Sequence, residues 1–247
     1  MEEGKATVRA VDRALDILLC FTEATELSMT DISVKAGLHK STVHRLLLSL
    51  EHKGFVIRDG GTDKYRLGFR IWELSAQLSE SDISSILLPE MERLRDEIGE
   101  TISLYVRDGK ERIRIQAVQS KQSVRRVAPI GARLPLYVGA SSKILLAYAS
   151  MEDRKAVLHD ENWPVYMERE AFEQQLETIR LQGYATSIEE REAGAAAVAV
   201  PLFNRSNQLA ASLSISGPAN RLTMDKMREH ARVLQETARK MGNMIRS

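Results

Sequence analysis

At 247 residues with 43% apolar content, the chain is long enough to fill two cores. Its formal net charge is +1, and through Arg70 eleven Lys/Arg face ten Asp/Glu, so broad phosphate attraction is excluded as the main source of any nucleic-acid affinity. A single cysteine excludes an internal disulfide, and with neither an apolar leader nor a bilayer-length apolar run in view, a cytoplasmic protein with no membrane partner is expected.

Taken in order, Val8–Ala24 reads as a first helix with Val11, Leu15, Leu18 and Leu19 as its inward stripe and Cys20 packed as a small hydrophobe. Ser28, with Asp31 three residues on, opens a second helix whose apolar pair is Ile32 and Ala36. Gly37 then supplies the positive φ that a sharp turn needs. A third helix from His39 or Lys40 to about Lys53 turns Val43, Leu46, Leu47 and Leu50 to one side. At about 100° per residue, Ser41, Arg45, Ser49 and His52 then face the other way, flanked by Thr42 and His44, with Leu48 also outward. That face carries donors and no carboxylate before Glu51. Arg45 can bond guanine bidentately, Ser41 and Thr42 suit phosphates or base edges, and Lys40 suits a phosphate at the helix start. A solvated helix face uses the same residue types, so this helix alone does not decide.

The hairpin after it tips the balance. Phe55–Arg58 is a β-rich run, residues 59–63 (DGGTD) are turn chemistry, and Lys64–Leu67 returns, a tight two-stranded wing flanked by Arg58, Lys64 and Arg66. Helix, glycine turn, helix and wing make a winged helix-turn-helix, a module that lays its recognition helix in the major groove. Some winged domains bind protein instead, so a protein-interaction and dimerisation module stays open as the alternative.

Phe69–Ser81 reads as a linker helix with Ile71, Leu74 and Leu78 near heptad spacing, equally compatible with packing on its own domain and with a dimer seam. A polar break comes at 79–82, giving expected divisions of 1–68, 69–82 and 83–247. Beyond it lie an amphipathic helix Leu87–Ile98, strands Thr101–Val106 and Arg112–Val118, and extended runs at Val124–Ile130 and Arg133–Val138. Helices are expected at Ala140–Ala149, Arg154–Leu158 and Arg169–Gln182, a strand pair at Ala195–Phe203 and Leu209–Ser216, and a closing helix Thr223–Ile245. With helices on one side of these strands, the reading is an α+β sensor domain. Ser214 and Ser216 alternate with Leu213 and Ile215, so both hydroxyls face one side of their strand, where a ligand, backbone carbonyls or water must satisfy them.

Six segments in order resemble the IclR family of bacterial transcriptional regulators: AVDRALDILLCF, KSTVHRLLLSLEHKGFV, YRLG, IGARLPLYVGASSKILLAY, SIEEREAGAAAVAVPLF and SLSISGPANRLT. The resemblance covers essentially the whole chain. It implies a winged helix-turn-helix, a linker helix and a GAF-like α+β effector domain, assembled as a homodimer or dimer of dimers on double-stranded DNA with an inverted-repeat operator. It also implies a small-molecule effector, an organic acid and often a carboxylate or aromatic acid; the regulatory sense expected here is that of a repressor. Mapped by motif, the implied effector positions are Leu134, Leu136, Ala140, Ser141, Ser187, Ala197, Ser214 and Ser216. The family's usual histidine is replaced by Tyr137, its glycine by Ser142, an acidic residue by Ser187 and, relative to glyoxylate-type binders, a cysteine by Ala197. These departures argue against a bound metal, and they keep open a DNA binder with a vestigial pocket. No phosphate loop, dinucleotide fingerprint or zinc-protease motif occurs, so neither a cofactor nor enzymatic chemistry is expected.

Overall fold

The computed structural model describes residues 7–79, 83–125 and 129–245, with backbone only for 76–79. The expectations that fall on the first six residues, on the side chain of Leu78, on 80–82 and on 126–128 lie outside the described residues. The chain divides into two compact units, Met1–Ser81 and Asp82–Ser247.

The first unit runs α1 (Arg9–Leu19), a 3-10 turn (Cys20–Thr22), β1 (Leu27–Ser28), α2 (Met29–Lys35), α3 (Lys40–His52), β2 (Val56–Arg58), β3 (Lys64–Leu67) and α4 (Phe69–Ser79). The Ser28–Asp31 pair forms a full capping box, with Ser28 Oγ accepting from Asp31 N and the Asp31 carboxylate accepting from Ser28 N. Gly37 takes φ 62°, and Ser33 Oγ donates to Leu38 O at 2.6 Å, so the turn between α2 and α3 is closed by a bond the sequence did not advertise. The wing is three-stranded in the order β1-β3-β2, because Leu27 pairs with Tyr65 and Ser28 with Lys64. Two-residue β1 is too short to leave a period in the sequence.

The core here is Ile17, Phe21, Leu27, Ile32, Val43, Leu47, Val56 and Tyr65, with Cys20, Leu46 and Leu50 partly buried beside it. The stripe expected on α1 is therefore corrected. Ile17 is fully buried, Leu18 partly, while Val8, Val11, Leu15 and Leu19 are 66%, 54%, 53% and 62% exposed. The apolar arc of this helix is wider than the core it meets, and periodicity alone selects the wrong edge of it. α4 likewise leaves Phe69, Trp72 and Leu74 exposed, with Ile71 partly covered.

The second unit runs α5 (Ile83–Ile98), β4 (Thr101–Asp108), β5 (Glu111–Val118), β6 (Arg133–Pro135), α6 (Ala140–Ala147), α7 (Met151–Leu158), α8 (Arg169–Gln182), β7 (Ala185–Ile188), β8 (Ala195–Phe203), β9 (Leu209–Pro218) and α9 (Met224–Gly242). Its strands form one antiparallel sheet ordered β6-β5-β4-β9-β8-β7. Strand alternation sends Val198, Val200, Leu213 and Ile215 to one face, where Leu87 and Leu94 of α5 and Leu234 and Met241 of α9 meet them. Ala199 and Tyr105 go to the other face, under Ile144 of α6 and Phe172 and Leu176 of α8. Helices thus cover both faces, not one, and the unit has two apolar layers separated by its sheet. β7 was not anticipated, only Arg133–Pro135 of the expected 133–138 run is strand, and none of Val124, Arg125, Pro129 or Ile130 is.

Candidate functional site

Two places concentrate polar chemistry, one in each unit. In the first, α3 starts after His39 with no acidic residue in its opening turn. Val43 and Leu47 are fully buried, whereas Lys40, Ser41, His44, Arg45 and Ser49 are exposed and Thr42 is partly so. Packing the leucines inward is what holds this donor face outward. Ser49 Oγ donates to Arg45 O at 3.2 Å, which leaves its oxygen lone pairs outward but commits its proton. Leu48 is 51% exposed on the same face.

The wing separates its cations. Arg58 is tied to Asp63 and lies 5.8 Å from the centroid of the Tyr65 ring, which gives it a structural partner that the sequence reading did not assign. Among the described residues, no ion pair engages Lys40, Arg45, Lys64 or Arg66. The wing tip is built by Asp59, whose carboxylate accepts from Thr62 N at 2.8 Å and Gly61 N at 2.9 Å. The Thr62 N–H, followed by the Thr62 hydroxyl and Gly61 N–H, holds that carboxyl below its ordinary pKa range.

In the second unit, a cavity of about 50 Å³ lies on the α6 side of the sheet. Of the expected effector positions, Ala140, Ser141, Ser187, Ala197, Ser214 and Ser216 line it together. Leu134 and Leu136 do not. Leu136, just past β6, is fully buried in the α6–α8 layer, and Leu134 of β6 packs at that layer's edge. The serines on β9 reach the cavity because β9 sits mid-sheet, where Ser214 pairs with Ser103 and Ala199, and Ser216 with Thr101 and Ala197. Ser214 Oγ donates weakly to Ser103 O at 3.5 Å.

Residues that the sequence reading did not assign to the site share its walls, among them Tyr105, Arg112, Arg114, Glu190, Arg191 and Glu192. Glu190 accepts from Gly139 N at 2.9 Å and pairs with the buried Lys143, which also donates to Thr186 O at 3.2 Å. Gly139 stands at the start of α6 with φ 90°, and a Cβ there would come within 3.0 Å of an Arg112 guanidinium nitrogen. The alternation of Arg112, Ile113, Arg114 and Ile115 was the available signal, since it places both arginines on one face. Among the described residues no group of three or more His, Cys, Asp or Glu side chains is placed to hold a metal ion, and no helix is long and apolar enough to cross a membrane.

A winged helix-turn-helix on one unit and a sheet-floored polar cavity on another define a two-part transcriptional regulator, with DNA as the partner the first unit implies. Residues 10–60 match the IclR helix-turn-helix domain, and residues 75–243 match the C-terminal domain of the bacterial transcriptional regulator IclR. The chain belongs to the IclR family of bacterial transcriptional regulators. It is 33% identical to the transcriptional regulator KdgR of Escherichia coli over 98% of this chain and 94% of that one. It is 29% identical to the transcriptional repressor IclR of the same organism, over 95% and 89%. An IclR homologue of Microbacterium hydrocarbonoxydans, solved with 4-hydroxybenzoate bound, superposes with a TM-score of 0.84 at 27% identity, covering 96% of this chain and 98% of that one.

Proposed function

We propose that this regulator is a repressor that binds an inverted-repeat operator as a homodimer or dimer of dimers and is modulated by a small organic acid held in the second unit's cavity. The observation that carries the reading is the outward face of α3, where Lys40, Ser41, Thr42, His44, Arg45 and Ser49 stand over a leucine-packed underside. Arg45 reads a base edge, Lys40 and the start of α3 meet phosphate, and Lys64 and Arg66 of the wing hold the flanking backbone. Arg58 contributes less than these because Asp63 already engages it. Two such heads on half-sites about one DNA turn apart make the operator palindromic. Support for repression comes from the relative so named, and support for an effector from the homologue that holds a small acid. Effector and operator then favour different arrangements of the assembly, and that difference in affinity is what one site passes to the other.

The test is a fluorescence-anisotropy titration on a palindromic duplex selected from a random pool, run across a salt series. Affinity should fall steeply with salt, and Arg45→Ala should weaken it by about 1–3 kcal/mol. A flat salt dependence would favour a winged domain that binds protein. Unchanged affinity on Arg45→Ala would take that residue out of the interface.

A further inference from the structure

The outward face of α3 carries one side chain that the proposed function leaves unused. Leu48 is 51% exposed and lies outside the first unit's core, which has Val43 and Leu47 at its centre and Leu46 and Leu50 at its edge. At about 100° per residue, Leu48 falls between His44 and Ser41, in the middle of an exposed arc that runs on to His52 and Arg45. No carboxylate shares that arc; Glu51 sits at its margin, partly buried.

A lone exposed leucine is ordinary on a solvated surface. This one is ringed by donors, on a helix whose Lys40 and Arg45 no ion pair engages among the described residues. The surface in which it is set therefore complements a polyanion, not an apolar protein face. In the major groove of such a partner, the base edge that offers a methyl group is that of thymine, while the other bases present donors and acceptors.

We infer that Leu48 is the thymine-reading residue of α3, packing on the 5-methyl group of one thymine in each half-site. Arg45 and Leu48 are three residues apart, about 4.5 Å along the helix axis, so that thymine adjoins the base pair that Arg45 contacts. The inference rests on the reading of α3 as the recognition helix, and its test separates the two.

The full chain is titrated by fluorescence anisotropy against the duplex it selects from a random pool. Each thymine of the half-site is replaced in turn by uracil, symmetrically in both halves. Uracil keeps the pairing and every hydrogen-bonding atom of thymine and lacks only the methyl. At one position uracil should weaken the parent by about fourfold per half-site, the worth of one buried methyl group. That position should lie within about two base pairs of the one at which Arg45→Ala relaxes the selection. Leu48→Ala should bind the thymine duplex at least as weakly as the parent binds the uracil one. It should distinguish the two duplexes by less than about twofold, because both deletions remove the same contact. Leu48→Met, which keeps an apolar side chain of similar volume, should retain the uracil sensitivity. Both variants should melt as the parent does. A half-site without thymine, uracil tolerated at every position, or a uracil loss that persists in full in Leu48→Ala overturns the inference. Full DNA affinity in Leu48→Ala with sedimentation shifted to smaller species assigns the leucine to a protein contact, and overturns it too. If the parent still binds its duplex with steep salt dependence, these results remove Leu48 alone and leave α3 as the recognition helix. A parent that selects no duplex takes both readings down.

Discussion

Gly242→Ala is expected to destabilise the second unit by about 3 kcal/mol or more, toward the upper range for forcing atoms into a filled core. Gly242 ends α9 where that helix crosses β8, and a Cβ built there would lie 2.1 Å from the carbonyl oxygen of Phe203. The obstacle is backbone, so no rotamer change relieves it. α9 would have to lift from the sheet, loosening Leu234, Ala238 and Met241 from Val200 and Leu202. Urea unfolding followed through Trp163, which is buried in this unit, measures the loss. Gly60→Ala is the control, because nothing lies within 4 Å of its Cβ position and its effect should stay within about 0.5 kcal/mol. Equal midpoints for the two variants would refute the close approach.

Leu47→Ala should remove operator binding by a route that Arg45→Ala does not take. Leu47 is fully buried in a first-unit core whose fully covered side chains include Ile17, Ile32 and Val43. Truncating a buried leucine costs about 2–5 kcal/mol, which is a large share of the ~5–15 kcal/mol that holds a domain folded. The variant should therefore lose helical signal and DNA affinity together on mild heating. Arg45→Ala should lose affinity with its melting curve intact. Leu48→Ala, at a half-exposed neighbouring position, should leave stability near the parent value. A Leu47→Ala protein that melts like the parent yet fails to bind DNA would mean that the leucine touches DNA itself, and the orientation of α3 would need redrawing.

Elements with a strong period and a clear stop were legible in the sequence. α8 spans Arg169–Gln182 with Gly183 left-handed at its end, and β8 spans Ala195–Phe203, both as read. α3 was equally plain, since its leucines recur on one side and its donors on the other. α1 failed for the opposite reason. Its apolar arc, opposite Arg9, Asp12, Arg13 and Asp16, spans more than half the helix, and only the tertiary partners of Ile17 and Phe21 decide which stripe of that arc is covered. β1 and β7 are short and paired along one neighbour each, so they left no alternation to find. Covering of both sheet faces was invisible because Ala197 and Ala199 are small, and a small residue under a helix looks the same in sequence as one facing solvent. At the cavity, six of eight expected positions converge. The arginines were missed because charged residues on a strand are ordinarily solvated, and only the fold shows these two to be covered.

The uncovered apolar stripe of α1, Val8, Val11, Leu15 and Leu19, together with Phe69 and Trp72 of α4, makes a lone chain a costly species in water. If pairing of chains covers those side chains, folding and association share one equilibrium and obey mass action. The melting midpoint should then climb with total chain concentration, and Leu15→Glu should lower it most where the protein is most dilute. A midpoint that ignores dilution would assign those side chains to the surface of a stable monomer.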